Sequence, residues 1–177
     1  MTPWEAQRGT ASSTLQVAGI VKDSVVDGPG IRLAVFVQGC PHQCPGCHNQ
    51  HTQAFAGGKT MTVDEILRML QENPFWNLTL SGGEPFAQAA ACTALAQGAR
   101  ALGKHVTTYT GGIYEELLSD PAMRPLVEAS DLLIDGPFVQ AQRTLEEPFR
   151  GSSNQRVIDV QKSLTCGEVV LWMYGAG

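Results

Sequence analysis

The sequence predicts an α/β fold with a mostly parallel sheet, and three observations favour it. Short runs of β-branched residues alternate with helical patterns, as in successive βα units. Glycine and polar residues follow each predicted strand, which is where ligands bind in such sheets. The 177 residues match the common size of one domain and can bury roughly 70% of the unfolded surface.

The first half of the chain contains two predicted strands and a helix. Residues 1–13 are polar, and we expect a flexible extension there. Strands are predicted at residues 15–21 and 31–38, with a proline- and glycine-containing turn between them. Thr62 and Glu65 have the spacing of a capping box, and apolar residues then recur on one face of a helix ending near Pro74.

The second half continues the alternation. It contains a strand at 77–80 that runs into Ser81-Gly82-Gly83-Glu84, an alanine-rich helix at 87–102, a strand at 104–109, helices at 114–118 and 123–129, and a strand at 132–134 that ends at Asp135. Residues 136–156 are predicted to form a loop. Final strands are predicted at 157–160 and 169–173.

Composition excludes several classes of function. The net charge is −5 and the basic residues are scattered, so we expect no direct nucleic-acid binding. No apolar run approaches the roughly 20 residues that span a bilayer, and the first residues lack the apolar centre of a signal peptide. We therefore expect a cytoplasmic protein with no membrane association.

Three cysteines, Cys40, Cys44 and Cys47, lie within eight residues. Cysteine thiolates bind zinc and iron-sulfur clusters, and three of them leave one position of a four-coordinate site open to a substrate. Cys92 and Cys166 stand alone, and we expect both to be buried apolar fillers. A disulfide framework is not expected from five cysteines spaced in this way.

Spacing alone leaves two alternatives to an open cluster. His42, His48 or His51 would complete a structural zinc site with the three cysteines. A closed electron-transfer cluster would need Cys92 or Cys166 as its fourth ligand. A histidine near a metal loop is more often an orienting or solvent-facing group.

Several motifs occur in an order that resembles the radical S-adenosylmethionine (radical SAM) enzymes, and within them the activating proteins of anaerobic ribonucleoside-triphosphate reductases. The resemblance runs from about residue 17 to residue 160. The motifs are Asp27-Gly28-Pro29-Gly30-Ile31-Arg32, the CxxxCxxC loop that ends in Cys47-His48-Asn49, Ser81-Gly82-Gly83-Glu84-Pro85, Asp135-Gly136-Pro137-Phe138 and Arg150-Gly151-Ser152-Ser153-Asn154-Gln155-Arg156.

The resemblance implies a partial (βα) barrel of the radical SAM type over residues 14–160. Residues 161–177 lie outside the resemblance, and we expect a tail there that adds a strand. It implies one 4Fe-4S cluster on Cys40, Cys44 and Cys47, with SAM on the fourth iron. It also implies a glycyl radical made on the large subunit of the reductase, and a flavodoxin or ferredoxin as electron donor. An activase of pyruvate formate-lyase type is the alternative within the same chemistry.

Candidate SAM contacts come from the residues and from the resemblance. Adjacent glycines let a ligand approach the backbone, which predicts binding at Ser81, Gly82, Gly83 and Glu84, although a plain βα turn would use the same residues. The resemblance adds Gly46, Cys47, His48 and Asp135. Asp27 and Arg32 either shape the mouth of the site or form a turn followed by a salt-bridged strand residue. The likeness of residues 150–156 to the family's late motif suggests that they receive the partner's glycine-bearing loop, although a loop that stabilises only itself would use the same residues.

Overall fold

The computed structural model describes residues 14–174, so the extension predicted at residues 1–13 lies outside the described residues. Within that range the chain forms an α/β fold. The strands are β1 Thr14–Ser24, β2 Ile31–Val37, β3 Lys59–Thr62, β4 Trp76–Gly82, β5 Val106–Tyr109, β6 Leu132–Asp135 and β7 Arg156–Asp159. The α-helices are α1 Val63–Leu70, α2 Ala89–Ala101, α3 Tyr114–Ser119, α4 Arg124–Glu128 and α5 Val160–Cys166.

The seven strands form one sheet in the order β3-β1-β2-β4-β5-β6-β7. Parallel pairing is confined to the middle strands β2, β4, β5 and β6, and both edges are antiparallel. The prediction of a mostly parallel sheet is therefore right only for the middle. At each edge the chain returns through a turn or loop, without the helical crossover that parallel strands need.

Strand β3 was not predicted from the sequence. It pairs antiparallel with β1, with Thr14 opposite Thr62. All four of its residues are exposed or half-buried. The strand therefore has no alternation of apolar and polar residues, which is the signal that identifies strands in a sequence.

The predicted capping box at Thr62 is present. The Thr62 hydroxyl accepts a hydrogen bond from the Glu65 backbone N–H at 3.0 Å, and the Glu65 carboxylate accepts one from the Thr62 N–H at 2.9 Å. The helix that follows buries Val63, Ile66 and Leu70 against the core. Local hydrogen bonding and apolar spacing thus agree on where α1 begins and which face it buries.

The middle strands all end at one side of the sheet, which we call the carboxyl edge. Val37 at the end of β2 is opposite Gly82 at the end of β4, and Tyr109 at the end of β5 is opposite Ile134. The loops that follow these strands therefore meet at this edge, as expected for a parallel arrangement.

The end of the chain differs from its prediction. A helix, α5, covers residues 160–166 and ends at Gly167, whose φ of 76° lies in the left-handed region. Residues 170–172 then lie beside β7, where the Asp159 N–H donates to the Val170 carbonyl at 2.9 Å. Only one bridge, Leu171 with Ile158, forms in place of the strand predicted at 169–173.

Asp27 and Arg32 lie at the opposite side of the sheet, where the middle strands begin. Arg32 is completely buried and donates to the Thr79 hydroxyl at 2.7 Å and to the carbonyls of Pro29 and Leu78, each at 2.6 Å. Burial lowers the pKa of its guanidinium to about 10. The expectation that these residues shape the mouth of the site is therefore wrong, because the mouth lies at the carboxyl edge.

Within residues 14–174, none of the helices has the length and apolar character that a membrane crossing requires.

Replacing Arg32 tests how much this buried cation stabilises the fold. Arg32→Leu should lower the free energy of unfolding by about 2–5 kcal/mol, because it leaves several buried acceptors without a donor. Denaturant unfolding measures the change. Arg68→Leu is the control, since Arg68 is exposed on α1, and it should change stability by less than about 0.5 kcal/mol. Equal effects from both variants would contradict the role given to Arg32.

Candidate metal and cofactor site

The cysteine loop follows β2 at the carboxyl edge. Its beginning is held by backbone hydrogen bonds, from the Gly39 N–H to the Thr52 carbonyl at 2.7 Å and from the Cys40 N–H to the Gln53 carbonyl at 3.0 Å. The three predicted ligands, Cys40, Cys44 and Cys47, are half-buried free thiols. The structure thus places them on one loop beside the ends of the middle strands.

The chemistry of these thiols fits a thiolate-bound metal centre. The pKa of Cys40 is raised to about 11, mainly by burial and to a smaller extent by Glu84 and the two other cysteines, while a backbone hydrogen bond from His42 acts in the opposite direction. A bound cation is what stabilises such a thiolate. The sulfur of Cys47 accepts a hydrogen bond from the Asn49 N–H at 3.4 Å. Across residues 14–174, no three Cys, His, Asp or Glu side chains are grouped closely enough to hold a metal ion.

The second half of the cysteine loop is covered by the segment that follows β6. The ring of His48 lies 5.1 Å from that of Phe138, tilted by 51°. Gly46 has a φ of 73°, and a Cβ added there would lie 2.8 Å from Cδ of Gln140. The left-handed backbone of Gly46 therefore favours glycine, whereas the exposed Gln140 side chain could move aside for a Cβ.

The glycines at the end of β4 pack against the strand that leads into the cysteine loop. The Gly83 N–H donates to the Val37 carbonyl and the Glu84 N–H to the Gly39 carbonyl, each at 2.8 Å. A Cβ on Gly83 would overlap the Gly39 oxygen. These glycines are expected from their sequence to let a ligand approach, whereas the group that approaches most closely here is the protein's own backbone.

Ser81 is buried, while Gly82 and Gly83 are partly exposed at the carboxyl edge. A Cβ on Gly82 would lie 2.5 Å from the Val37 nitrogen. Both glycines therefore keep their backbone close to the cysteine loop and accessible at the same time. Their predicted contact with SAM stays a prediction.

The carboxylate of Glu84 is 4% exposed and bonded within the protein. His42 lies 2.6 Å from it through Nε2, and this hydrogen bond raises the pKa of His42 more than burial lowers it. The sequence suggests that His42 is a metal ligand, an orienting group or a solvent-facing group, and it gives no sign of the pairing with Glu84. The two residues are 42 positions apart, so only the fold could pair them.

Asp135 lies on the carboxyl edge, as predicted, but both of its oxygens are engaged. Arg156 donates to them at 3.0 and 2.6 Å, and the Tyr114 N–H donates at 2.9 Å. Arg156 also binds the two oxygens of Glu115, at 3.0 and 2.8 Å, and both acids raise its pKa. The structure therefore shows Asp135 in an internal ion pair, and its contact with SAM stays a prediction.

The lone cysteines have different surroundings. Cys92 is completely buried on α2, as expected, and burial raises the pKa of its thiol. Cys166 is exposed at the end of α5, so the expectation that it is a buried filler is wrong. The helix pattern of residues 160–166 was missed, and with it the outward position of this residue.

The segment from 150 to 156 is bonded to itself and to the turn that follows β6. The side chain of Gln155 accepts from the Gly151 N–H at 2.9 Å and donates to the Gly136 carbonyl at 3.0 Å. Asn154 donates to the Pro137 carbonyl at 2.8 Å. The two motifs recognised in the sequence, at 135–138 and 150–156, thus form one structural unit.

Comparison with known proteins places most of the chain among iron-sulfur proteins. The family model described as a 4Fe-4S single cluster domain matches residues 26–158. The anaerobic ribonucleoside-triphosphate reductase-activating protein of Vibrio cholerae is 37% identical over 140 residues, covering 74% of this chain and 89% of that protein. The protein of the same name from Escherichia coli is 36% identical, covering 75% and 91%.

Two further similarities are more partial. Pyruvate formate-lyase 1-activating enzyme of Escherichia coli is 32% identical over 154 residues, which cover 84% of this chain and 61% of that enzyme. The crystal structure of QueE from Escherichia coli aligns with a TM-score of 0.46 and 15% identity, covering 63% of this chain and 58% of that one. That structural similarity is too low to assign a fold.

The close packing of Gly83 gives a direct test of the site's construction. Gly83→Ala should lower the free energy of unfolding by about 1–3 kcal/mol, because the added Cβ forces β4 away from the cysteine loop. Denaturant unfolding and the iron content after reconstitution are measured together, and both should fall. Gly19→Ala is the matched control, since a Cβ there meets nothing within 4 Å. Unchanged stability in Gly83→Ala would contradict the contact.

Proposed function

This chain belongs to the family of anaerobic ribonucleoside-triphosphate reductase-activating proteins, and from that premise we propose that it activates such a reductase by generating a glycyl radical on it. The observation that carries the proposal is the identity of 36–37% over nine-tenths of the relatives' length. The family region includes the cysteine loop, the end of β4 and the end of β6.

The cofactors of the proposed activity are one 4Fe-4S cluster and SAM. Cys40, Cys44 and Cys47 hold the cluster, and the fourth iron is left for SAM. When bound, the cluster, once reduced by the electron donor, would supply the electron that cleaves a carbon-sulfur bond of SAM, with methionine as one product and a 5′-deoxyadenosyl radical that would take a hydrogen atom from the partner's glycine as the other. The protein binds and orients these groups and excludes water from them.

The SAM site is proposed at the carboxyl edge between the cysteine loop and the end of β4. Ser81, Gly82 and Gly83 offer backbone groups there, which suit the ammonium group of SAM because a strand end leaves carbonyls unpaired. The side chain, the N–H and the carbonyl of Glu84 are all hydrogen-bonded within the protein, so Glu84 is proposed to border the SAM site. Gly46, Cys47 and His48 provide the opposite wall, and Asp135 lies on the same edge.

The domain organisation is proposed on the same basis. Residues 14–160 form a radical SAM domain whose sheet is an incomplete barrel, and residues 161–177 form a tail. The pairing of residues 170–172 with β7 supports the idea that the tail adds a short strand to the sheet.

The protein partners are the large catalytic subunit of the reductase and an electron donor of flavodoxin or ferredoxin type. We place the partner's glycine-bearing loop at residues 150–156, beside Asp135. Arg150 donates to the Gln155 carbonyl at 3.1 Å and lies 2.6 Å from Glu147, so the segment is held in one shape before any partner binds. A preformed peptide-binding loop loses less entropy on association.

A second candidate is activation of a pyruvate formate-lyase type enzyme. The 32% identity over 84% of this chain favours it. This chain spans only 61% of that relative, however, and nine-tenths of the reductase activases. The reductase is therefore the better-supported target.

Anaerobic reconstitution with iron and sulfide, followed by mixing with the reductase, SAM and a reductant, tests the function. The expected result is a brown chain that forms 5′-deoxyadenosine and produces a glycyl signal in electron paramagnetic resonance. Cys40→Ala, Cys44→Ala and Cys47→Ala should each abolish SAM cleavage, because the cluster loses a ligand.

Cys92→Ala and Cys166→Ala are the controls for that experiment and should retain SAM cleavage. Equal loss in all five variants would refute the ligand assignment. A colourless, inert chain that binds zinc would instead support a structural zinc module. A glycyl signal on a pyruvate formate-lyase type enzyme alone would transfer the proposal to the second candidate.

The partner-binding role of residues 150–156 is tested separately. Arg150→Ala and Asn154→Ala should lower glycyl-radical yield and affinity for the reductase by about tenfold, since each loses a hydrogen bond that shapes the segment. SAM cleavage in the absence of the reductase should stay within twofold of the unaltered chain. Full radical yield and partner affinity in both variants would remove this role.

A further inference from the structure

Glu84 carries a buried carboxylate whose four hydrogen bonds come from several parts of the chain. Oε2 accepts from His42 Nε2 at 2.6 Å, from the Gly111 N–H at 2.9 Å and from the Thr110 hydroxyl at 3.1 Å. Oε1 accepts from the Phe86 N–H at 3.0 Å. A carboxylate that is only 4% exposed is stable when it is satisfied in this way.

The donors to Glu84 join three strand ends. His42 lies on the loop after β2, between Cys40 and Cys44, while Glu84 follows β4 and Gly111 follows β5. One side chain therefore connects the first half of the cysteine loop to two neighbouring strands.

Gly111 is fitted to the ring of His42. A Cβ added at Gly111 would lie 2.7 Å from Cδ2 of His42 and 3.0 Å from its Nε2. A Cβ at this distance would force the His42 ring to shift, so the glycine at position 111 leaves room for that ring.

The segment from 41 to 46 has few other attachments. Its turn is closed internally by the Cys47 N–H donating to the Cys44 carbonyl at 3.2 Å. Among residues 14–174, the bond between His42 and Glu84 is the one hydrogen bond that ties residues 41–46 to the end of another strand.

We propose that His42 is a positioning residue. Its hydrogen bond to Glu84 holds residues 40–44 against the ends of β4 and β5, and it so keeps the cluster ligands close to the strand end that is proposed to bind SAM. This inference rests on the proposed function and assigns a task to two groups within that site. A loop held in place loses less entropy when its thiolates converge on a cluster.

Loop mobility is the first test, because it does not depend on the cluster. Nuclear magnetic resonance of the full-length, metal-free chain gives backbone order parameters at residues 42–44. In His42→Ala these should fall from about 0.85 to below about 0.6. His42→Gln keeps a donor for Glu84 and should retain the higher values, as should the control His51→Ala, which alters an exposed histidine outside the segment.

SAM affinity of the reconstituted chain is the second test. His42→Ala should bind SAM about tenfold more weakly, the size expected when a charge-assisted hydrogen bond is lost. It should also diminish the change that SAM causes in the electron paramagnetic resonance spectrum of the reduced cluster. His42→Gln should restore both properties to within twofold.

Gly111→Ala is a variant that leaves both His42 and Glu84 unchanged in sequence. Its Cβ displaces the His42 ring, so Gly111→Ala should show the same increased mobility at residues 42–44 and the same tenfold loss of SAM affinity as His42→Ala. In the double variant with His42→Ala, Gly111→Ala should cause no further change in mobility or SAM affinity, because no ring remains to be displaced. Additive losses of SAM affinity in the double variant, or rigid residues 42–44 in His42→Ala, would overturn the positioning role of His42. If the unaltered chain bound no cluster, the proposed function would be contradicted, whereas the mobility measurement would still test the positioning role of His42.

Discussion

The candidate site depends on the backbone contact between the end of β4 and the end of β2. Gly83 and Glu84 donate to carbonyls of Val37 and Gly39, directly before the first cysteine. No side chain fits between these segments, since a Cβ at Gly83 would overlap the Gly39 oxygen. The proposed SAM-binding segment and the cysteine loop are therefore two sides of one contact, and neither can move without the other.

Buried charges organise both sides of the sheet around that contact. Arg32 binds carbonyls and a hydroxyl where the middle strands begin, and the Asp135–Arg156 pair and the Glu84–His42 pair lie where they end. Each charge is satisfied by partners from other strands or from the loops beside them. Because an unpaired buried charge is costly, such pairs restrict how neighbouring strand ends can be arranged.

Much of the fold could be predicted because local patterns agreed with it. The capping box at Thr62, the strands before Gly82 and Asp135, and the helices between them follow from spacing and turn chemistry. Strand β3 and the antiparallel edges could not be predicted, since pairing at an edge depends on where the chain returns and leaves little apolar alternation. Helix α5 was not predicted either, and the strand predicted at 169–173 forms only the bridge between Leu171 and Ile158.

For the site, the sequence by itself determined the chemistry: three thiols on one loop, a glycine pair after a strand and a family likeness that later comparison supported. Only the tertiary structure decided which side chains meet. It paired His42 with Glu84 and Asp135 with Arg156, and it placed Arg32 on the far side of the sheet. Ligand type and spacing are local properties of a chain, whereas hydrogen-bond partners separated by 21 to 73 residues are set by how strands pair.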